Sequence, residues 1–239
     1  MRFDILTLFP DMLRGPLETS ILKRAQNAGL LEVQLHDIRD SATGVHRQVD
    51  DTPYGGGAGM VLKVDILVDA LDKVLSDPQV AAVPPKRRRI ILLTPQGKRF
   101  NQPRAHYLAE SYDQVTLICG HYEGFDERIR SMVDSQISLG DFVLTGGELP
   151  ALVIVDAVAR LLPEVIKKES PEEESFSLRD AFGSALLEYP HYTRPLTFRD
   201  ETVPEVLLSG NHAQIAAWRL ERAQERTSQA QKDEHQLEV

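Results

Sequence analysis

The chain has 239 residues, of which 42% are hydrophobic and 26% are charged, proportions typical of globular proteins. These proportions exclude a collagen-like, low-complexity or wholly disordered chain. The 27 Lys and Arg against 36 Asp and Glu give a net charge of −9. This charge argues against a protein that coats nucleic acid non-specifically, because such proteins carry a broad basic surface.

The first part of the chain alternates between strand and helix patterns. Strands are predicted over 2–9 and 31–38, with a helix over 18–28 between them. Residues 40–60 contain five glycines and no periodicity, and a loop of this length is usually functional or disordered. Apolar residues at helical spacing predict a helix over 63–75.

Three short apolar runs further along the chain are typical of buried parallel strands, at 89–93, 115–119 and 142–144. Helices are predicted after Asn101, near Asp126 and over 148–162. Strands separated by helices indicate an α/β fold with a mostly parallel sheet.

The composition changes after residue 163. Residues 164–180 are charged and poor in apolar side chains, which is typical of a linker. Residues 181–239 are predicted to form a small all-α domain, in which Asn211 caps a helix that runs to about Arg226 before a polar tail that frays. The predicted organisation is therefore an α/β domain over 1–163, a linker and a small helical domain.

Several kinds of site and location are not expected. Cys119 is the only cysteine and the histidines form no zinc-binding pattern, so neither a disulfide nor a metal site is predicted. No run approaches the ~18 apolar residues of a membrane span. The N-terminal segment carries charges within its apolar stretch, unlike a signal peptide. We expect a cytoplasmic protein with no membrane contact.

Three segments rich in glycine and polar residues follow predicted strands, at 94–97, 120–124 and 139–148. Ligands of open α/β sheets bind at the carboxyl ends of the strands, so these segments are predicted to converge on one pocket. The alternative is that their glycines serve only tight turns. Neither a dinucleotide fingerprint nor a P-loop is present.

Basic residues are predicted to supply local positive charge around this pocket. Arg160 interrupts an apolar helix, so it either pairs with Asp156 one turn away or points into the pocket. The run 86–89 is either part of this charge or a solvated loop that protects a sheet edge. The remaining candidates are Arg47, Arg194 and Arg199.

Six motifs in fixed order carry a resemblance to a known family. They are VDDTPYGGGAGM (49–60), LTPQGK (93–98), CGHYEGFDER (119–128), LGDFVLTGGELPA (139–151), EYPHYTRP (188–195) and LLSGNHAQIAAWR (207–219). Together they resemble the bacterial tRNA (guanine-N1)-methyltransferases of the SPOUT class, the TrmD family, which modify the guanosine at position 37, 3′ to the anticodon.

The resemblance implies a fold and partners that periodicity does not reveal. It implies a deep trefoil knot in the C-terminal part of the α/β domain, which makes residues 1–163 the catalytic domain and residues 181–239 a tRNA-binding domain. It implies S-adenosylmethionine as methyl donor and a homodimer with active sites shared between subunits. It also implies a divalent cation such as Mg²⁺ for activity.

The resemblance further assigns site residues. The target base is implied to contact Asp50, Gly59 and Glu123, with His46 and Arg47 in the same loop. The S-adenosylmethionine-binding positions are implied to be Thr94, Pro95, Gly97, Gly120, Tyr122, Leu139, Gly140, Asp141, Phe142, Val143, Leu144, Gly146 and Pro150.

Methylation of guanine N1 requires a general base and a cation, since N1 must lose its proton and negative charge spreads onto O6. By similarity, Arg160 is the arginine that stabilises this charge. The family places an aspartate before Ser-Phe in the linker, whereas this chain has Glu174 there. Glu173 or Asp180 is the alternative base, and a further alternative is that these glutamates are only linker charge.

Two other functions remain open from the sequence. One is a SPOUT methyltransferase with another RNA target, and the other is an RNA-binding protein of the same fold that has lost its base. About six extra residues within 178–186 also separate this chain from the family pattern, and the chain ends soon after Arg226.

Overall fold

The computed structural model describes residues 1–167 and 173–237. The chain divides into two compact units, Met1–Ile166 and Lys167–Val239, which we call the first and the second unit. The predicted linker over 164–180 is split between them. None of the described helices is both long enough and apolar enough to cross a membrane.

The strands of the described part are β1 (Arg2–Thr7), β2 (Glu32–Asp37), β3 (Asp50–Asp51), β4 (Val61–Leu62), β5 (Arg88–Arg99), β6 (Gln114–Cys119), β7 (Ser135–Ser138), β8 (Thr197–Phe198) and β9 (Glu201–Thr202). Its α-helices are α1 (Asp11–Leu17), α2 (Ser20–Asn27), α3 (Val64–Leu75), α4 (Pro78–Ala82), α5 (Gln102–Ser111), α6 (Glu148–Ala159) and α7 (His212–Leu237). Short 3₁₀ helices lie at Ile38–Ser41, Pro85–Arg87, Glu127–Met132 and Glu205–Leu208.

The first unit is built on a five-stranded sheet in the order β2-β1-β6-β5-β7. All neighbouring pairs in this sheet are parallel, so the predicted α/β fold with a mostly parallel sheet is confirmed. The central strands β1 and β6 are buried along their whole length. This burial follows from their position, because each has a strand on both sides and helices cover both faces.

Alternate residues of the strands fill two apolar clusters, one on each face of the sheet. Phe3, Ile5 and Leu117 belong to the cluster formed with α1, α2, α5 and α6. Leu6 and Ile118 belong to the other cluster, which α3 closes. The period of two in the strands thus determines which helix each side chain meets.

The predicted strand over 142–144 is wrong. The strand in that part of the sheet is β7 (Ser135–Ser138), while Phe142 and Val143 lie in the following loop with 54% and 82% of their surface exposed. Because β7 is at the edge of the sheet, it needs few apolar residues, and its sequence SQIS has only one. An apolar run was therefore a misleading signal here.

Two helices also differ from prediction. The helix α1 was not predicted, because it contains Gly15 and Pro16, residues that normally disfavour helices. The helix α7 continues to Leu237 instead of ending near Arg226. The extension carries neither glycine nor proline, so nothing in it terminates the helix.

The described part of the second unit contains the long helix α7, and β8 and β9 add an antiparallel hairpin that the all-α prediction omitted. Its buried cluster consists of Leu186, Tyr189 and Ala223, with Leu178 packed against it. Asn211 is the predicted cap at the start of α7, and its side-chain oxygen accepts the Gln214 N–H at 3.2 Å.

Candidate cofactor and catalytic site

A cavity of about 320 Å³ lies in the first unit where β6 and β7 end and where the register of β5 breaks. Leu93 and Lys98 both pair with Ile137, so the intervening residues 94–97 leave the ladder. Residues that directly follow β6 and β7 form the other walls. The three segments predicted to converge on one pocket thus do so.

Most of the residues assigned to the cofactor by resemblance line this cavity. They are Thr94, Pro95, Gly120, Tyr122, Leu139, Phe142, Val143, Leu144, Gly146 and Pro150.

Gly97, Gly140 and Asp141 are not among the lining residues. A side chain on Gly97 would lie 2.4 Å from the backbone nitrogen of Ile137, so glycine is required for the close approach of β5 to β7. Asp141 forms a salt bridge with Arg99 on the surface. Gly97 therefore shapes a wall of the cavity, whereas the Asp141 side chain is held at the surface.

The glycine-rich loop, residues 40–60, lies against the segment 120–124, which follows β6 and lines the cavity. The Glu123 N–H donates to the Met60 carbonyl at 3.0 Å, and the Leu62 N–H donates to the Gly124 carbonyl at 3.0 Å. A Cβ on Gly59 would lie 2.5 Å from the Glu123 side chain, so only glycine leaves that carboxylate its present position. Gly59 and Glu123, two residues assigned to the target base, are thus adjacent.

Asp50, the other residue assigned to the target base, and the neighbouring His46 and Arg47 lie earlier in the same loop. Arg47 pairs with Asp40 at 3.0 Å, and both side chains are largely exposed. His46 is exposed, and Asp50 lies in β3, where it pairs with Leu62 of β4. None of these three lines the cavity.

Arg160 is the residue that ends α6, and its N–H donates to the Asp156 carbonyl at 3.3 Å. The opposite end of α6 faces the cavity through Gly147 and Pro150. At 1.5 Å per residue, Arg160 is about 15 Å along the helix from Pro150. Within one chain, the predicted catalytic arginine therefore does not border the cavity.

The candidate bases Glu173, Glu174 and Asp180 all lie in the second unit. The Glu173 carboxylate accepts the Tyr189 hydroxyl at 2.5 Å. The Asp180 carboxylate accepts the N–H groups of Phe182 and Ser184 at 2.9 and 2.8 Å, and so caps a turn. Both alternatives to Glu174 thus hold the local structure together.

Comparison with known proteins agrees with this architecture. The family model described as tRNA (Guanine-1)-methyltransferase TrmD matches residues 1–236. The chain belongs to the TrmD family.

Proteins named tRNA (guanine-N(1)-)-methyltransferase are similar over almost the whole chain. The protein of Chloroflexus aggregans is 56% identical over 220 residues, which cover 92% of this chain and 81% of the relative. That of Desulfitobacterium hafniense is 53% identical, with 95% and 81% covered. That of Geobacter sulfurreducens is 50% identical, with 98% and 90% covered.

Several residues that line the cavity of this TrmD-family chain were not among the predicted site residues. His121 packs between Phe9 and Tyr122, at ring distances of 4.8 and 5.2 Å. Its Nδ1 accepts the Tyr122 N–H at 3.1 Å, which fixes the orientation of the ring. Arg130 also lines the cavity and pairs with Glu127 at 2.7 Å. The motif CGHYEGFDER contains a signal for His121, because it follows a buried strand directly, whereas Arg130 lies outside this motif.

Buried groups beside the cavity are structural. The Glu148 carboxylate is 1% exposed and accepts the Thr7 hydroxyl at 2.7 Å. Burial, together with the charge of Glu148, raises the pKa of the Cys119 thiol well above its usual range. Cys119 is therefore a neutral thiol at physiological pH, which argues against a nucleophilic role.

The basic run 86–89, for which charge around the cavity is one of two alternatives, does not line the cavity. It lies at the amino end of β5, about 16 Å along the strand from Leu93. Arg87 forms a two-point contact with Asp113 at 2.5 and 2.9 Å, and Arg89 lies 5.7 Å from the centre of the Tyr112 ring. These residues join the starts of β5 and β6, so their role is structural.

The divalent cation implied by the resemblance has no built site in the described residues. No group of three or more His, Cys, Asp or Glu side chains there is arranged to hold a metal ion.

Proposed function

We propose that this chain transfers a methyl group from S-adenosylmethionine to N1 of the guanosine at position 37 of tRNA. The observation that carries this proposal is the cavity, because its walls are the three segments that resemble the cofactor loops of the TrmD family. The same match supports a trefoil knot at these loops and action in the cytoplasm, where tRNA is modified.

The cavity is suited to S-adenosylmethionine in size and chemistry. Its volume of about 320 Å³ lies in the range of small-molecule sites. Leu139, Phe142 and Pro150 supply apolar walls, while the backbone of the segments after β6 and β7 supplies polar groups that fix orientation. The bound cofactor supplies an electrophilic methyl group on a sulfonium. Residues of the chain then have to hold the guanine, remove a proton and stabilise negative charge.

Removal of the N1 proton is assigned to Glu174. A general base is needed because the N1–H pKa of guanine is well above neutrality. Glu174 is preferred because it occupies the position directly before Ser175 and Phe176 where the family pattern has an aspartate, and Glu173 and Asp180 are the alternatives. Arg160 is assigned to O6, where its positive charge stabilises the negative charge that develops as the proton leaves.

Binding of the target base is assigned to the glycine-rich loop and the segment after β6. Glu123 both lines the cavity and contacts the Gly59 position, so it is suited to hydrogen bonding with a base next to the methyl donor. Asp50 is assigned with Gly59 to the target base, and His46 and Arg47 of the same loop are assigned to substrate binding.

The active enzyme is proposed to be a homodimer with shared active sites. Leu149 and Val153 of α6 remain about half exposed, and Met12 of the adjacent α1 is 49% exposed. An apolar helix with one such face uncovered is typical of a helix that another protein surface covers. A second subunit also accounts for the separation between Arg160 and the cavity, because the partner's arginine would serve the site.

The direct test is methyl transfer from labelled S-adenosylmethionine to a tRNA transcript with G at position 37. We expect labelled N1-methylguanine at that position and none when the G is replaced by A. Transfer to a different nucleotide would support another RNA target, and cofactor binding without any transfer would support a non-catalytic RNA-binding protein. Either result would overturn the proposal.

The affinity for tRNA gives a second measurement. The net charge of −9 leaves only local basic residues for phosphate contacts, so these should be few. We expect modest affinity that falls as salt concentration rises. A dissociation constant that does not change with salt would contradict this expectation.

A further inference from the structure

The segment that carries Glu174 is fixed on both sides by contacts within the second unit. On one side, the Glu173 carboxylate accepts the Tyr189 hydroxyl at 2.5 Å. On the other side, the Ser175 hydroxyl accepts the Glu188 N–H at 3.0 Å, and the Phe176 N–H donates to the Leu186 carbonyl at 2.8 Å. The backbone at Glu174 is therefore held between two anchored neighbours.

Arg219 completes the contact with Glu173. Its guanidinium lies 4.7 Å from the centre of the Tyr189 ring, and Nη1 is 3.8 Å from the same Glu173 oxygen that accepts the Tyr189 hydroxyl. A distance of 3.8 Å is too long for a hydrogen bond, so Arg219 acts on Glu173 through charge and on Tyr189 by stacking. One carboxylate oxygen is thus shared by a hydroxyl donor and a cation.

We infer that Tyr189, Glu173 and Arg219 form an anchor that positions Glu174 for proton removal. The inference rests on the function proposed above and names three positioning residues that do not themselves react. Glutamate is one methylene longer than the aspartate of the family pattern, so its carboxylate needs more restraint to reach one geometry. Misplacement by ~1 Å is enough to slow a reaction about 100-fold.

The protonation of Tyr189 suits this role. Burial and the hydrogen bond to Glu173 raise the pKa of Tyr189 to about 12. Its hydroxyl therefore remains a donor throughout the physiological range. Tyr189 belongs to the buried cluster of the second unit, so the donor is attached to the best-packed part of that unit.

The test compares variants of the full chain in single-turnover methyl transfer at saturating cofactor and tRNA. We expect Tyr189→Phe and Glu173→Ala to slow transfer by roughly 10-fold or more, the usual effect of losing a hydrogen bond to a charged group. Glu173→Gln keeps an acceptor for the Tyr189 hydroxyl and should recover most of the rate. Tyr107→Phe, which removes a hydrogen-bonded hydroxyl from a half-exposed tyrosine of α5 in the first unit, serves as the matched control and should transfer at the wild-type rate.

Binding and stability measurements distinguish a loss of positioning of Glu174 from a general destabilisation of the second unit. The dissociation constants of cofactor and tRNA and the melting temperature should remain close to those of the wild type in Tyr189→Phe. A wild-type rate in Tyr189→Phe or Glu173→Ala would overturn the anchor, as would a fall in rate matched by an equal fall in tRNA affinity.

Two further variants distinguish this inference from the proposed function. Glu174→Gln should be inactive if the proposed base is right, whatever the anchor does. If Glu173→Gln is inactive and Glu174→Gln is active, Glu173 is the base and the anchor is wrong. Absence of methyl transfer by the wild-type chain would instead overturn the proposed function itself.

Discussion

The two units of this chain are stabilised in different ways. The first unit has apolar clusters on both faces of a five-stranded sheet, whereas the second has a buried cluster of Leu186, Tyr189 and Ala223. In the second unit, hydrogen bonds and ion pairs carry much of the local order. The cavity thus lies on a rigid scaffold, while the proposed base lies on a segment held mainly by polar contacts. Substitutions in the second unit should therefore alter rate more than cofactor affinity.

Glu174→Gln gives the largest expected effect. Loss of a general base typically costs 10²- to 10⁴-fold in rate, so turnover should fall by about that factor. The dissociation constant of S-adenosylmethionine, measured by calorimetry, should not change, because every residue that lines the cavity belongs to the first unit. Near-normal turnover, or lost cofactor binding, would contradict this division of roles.

Arg160→Ala should lower turnover by about 10²- to 10³-fold, the usual cost of removing a group that stabilises an oxyanion. A mixture of Arg160→Ala and Glu174→Gln chains, co-expressed in equal amounts, tests whether the two residues act from different subunits. Half of the dimers would then be mixed, with one intact site each, so about a quarter of wild-type activity should return. Equal mixing without any recovery would contradict shared active sites.

Truncation of buried leucines tests the difference in core size directly. Leu117→Ala in β6 should destabilise the first unit by ~2–5 kcal/mol, because it opens a cavity at the centre of the sheet. Leu186→Ala should cost the second unit less, since a small cluster can relax around the gap. Trp218 is the only tryptophan and lies in the second unit, so its fluorescence reports the unfolding of that unit. Far-UV circular dichroism reports the unfolding of the whole chain. Equal losses of unfolding free energy in the two variants would contradict the difference in core size between the units.

Acid should weaken the first unit through Asp4. Burial by itself would raise the pKa of Asp4, but hydrogen bonds from His36, Arg2 and Gln114 outweigh it and lower the pKa below its ordinary value of 3.8. Ionised Asp4 therefore stabilises the fold above that pH, and this contribution is lost as the pH falls through the lower folded value. As the pH is lowered from 5 to 2, the melting temperature should fall more steeply for the wild type than for Asp4→Asn. The same dependence of melting temperature on pH in both proteins would contradict this role of Asp4.

The smallest effect is expected at Phe182, which lies within residues 178–186, where extra residues relative to the family are predicted, and is 95% exposed. Phe182→Ala should change the free energy of unfolding by less than about 0.5 kcal/mol, since no buried surface is lost. A larger change in chemical denaturation would show that this turn contributes to the stability of the second unit.

Prediction from the sequence succeeded where residues interact with near neighbours. The helix α3 and the strand β2 follow from periodicity, because one helix face or alternate strand positions are apolar. The buried strands β1 and β6 follow from short apolar runs. Prediction failed at β7 because burial of an edge strand depends on its neighbours and not on its own composition. It also left the role of the run 86–89 open, because Asp113, the partner of Arg87, lies 26 residues away.

The sequence by itself determined the parallel α/β architecture, the family and the three loop segments that form the cavity, since strand ends and glycine patterns are local features. Only the tertiary structure decided that Gly97 shapes a cavity wall while Asp141 pairs with Arg99 at the surface. It also decided that Arg160 lies about 15 Å from Pro150 along α6 and that Glu173 accepts the Tyr189 hydroxyl. These facts depend on contacts between residues distant in the chain. No spacing pattern encodes such contacts, because packing and hydrogen-bond geometry arise only once the elements have met.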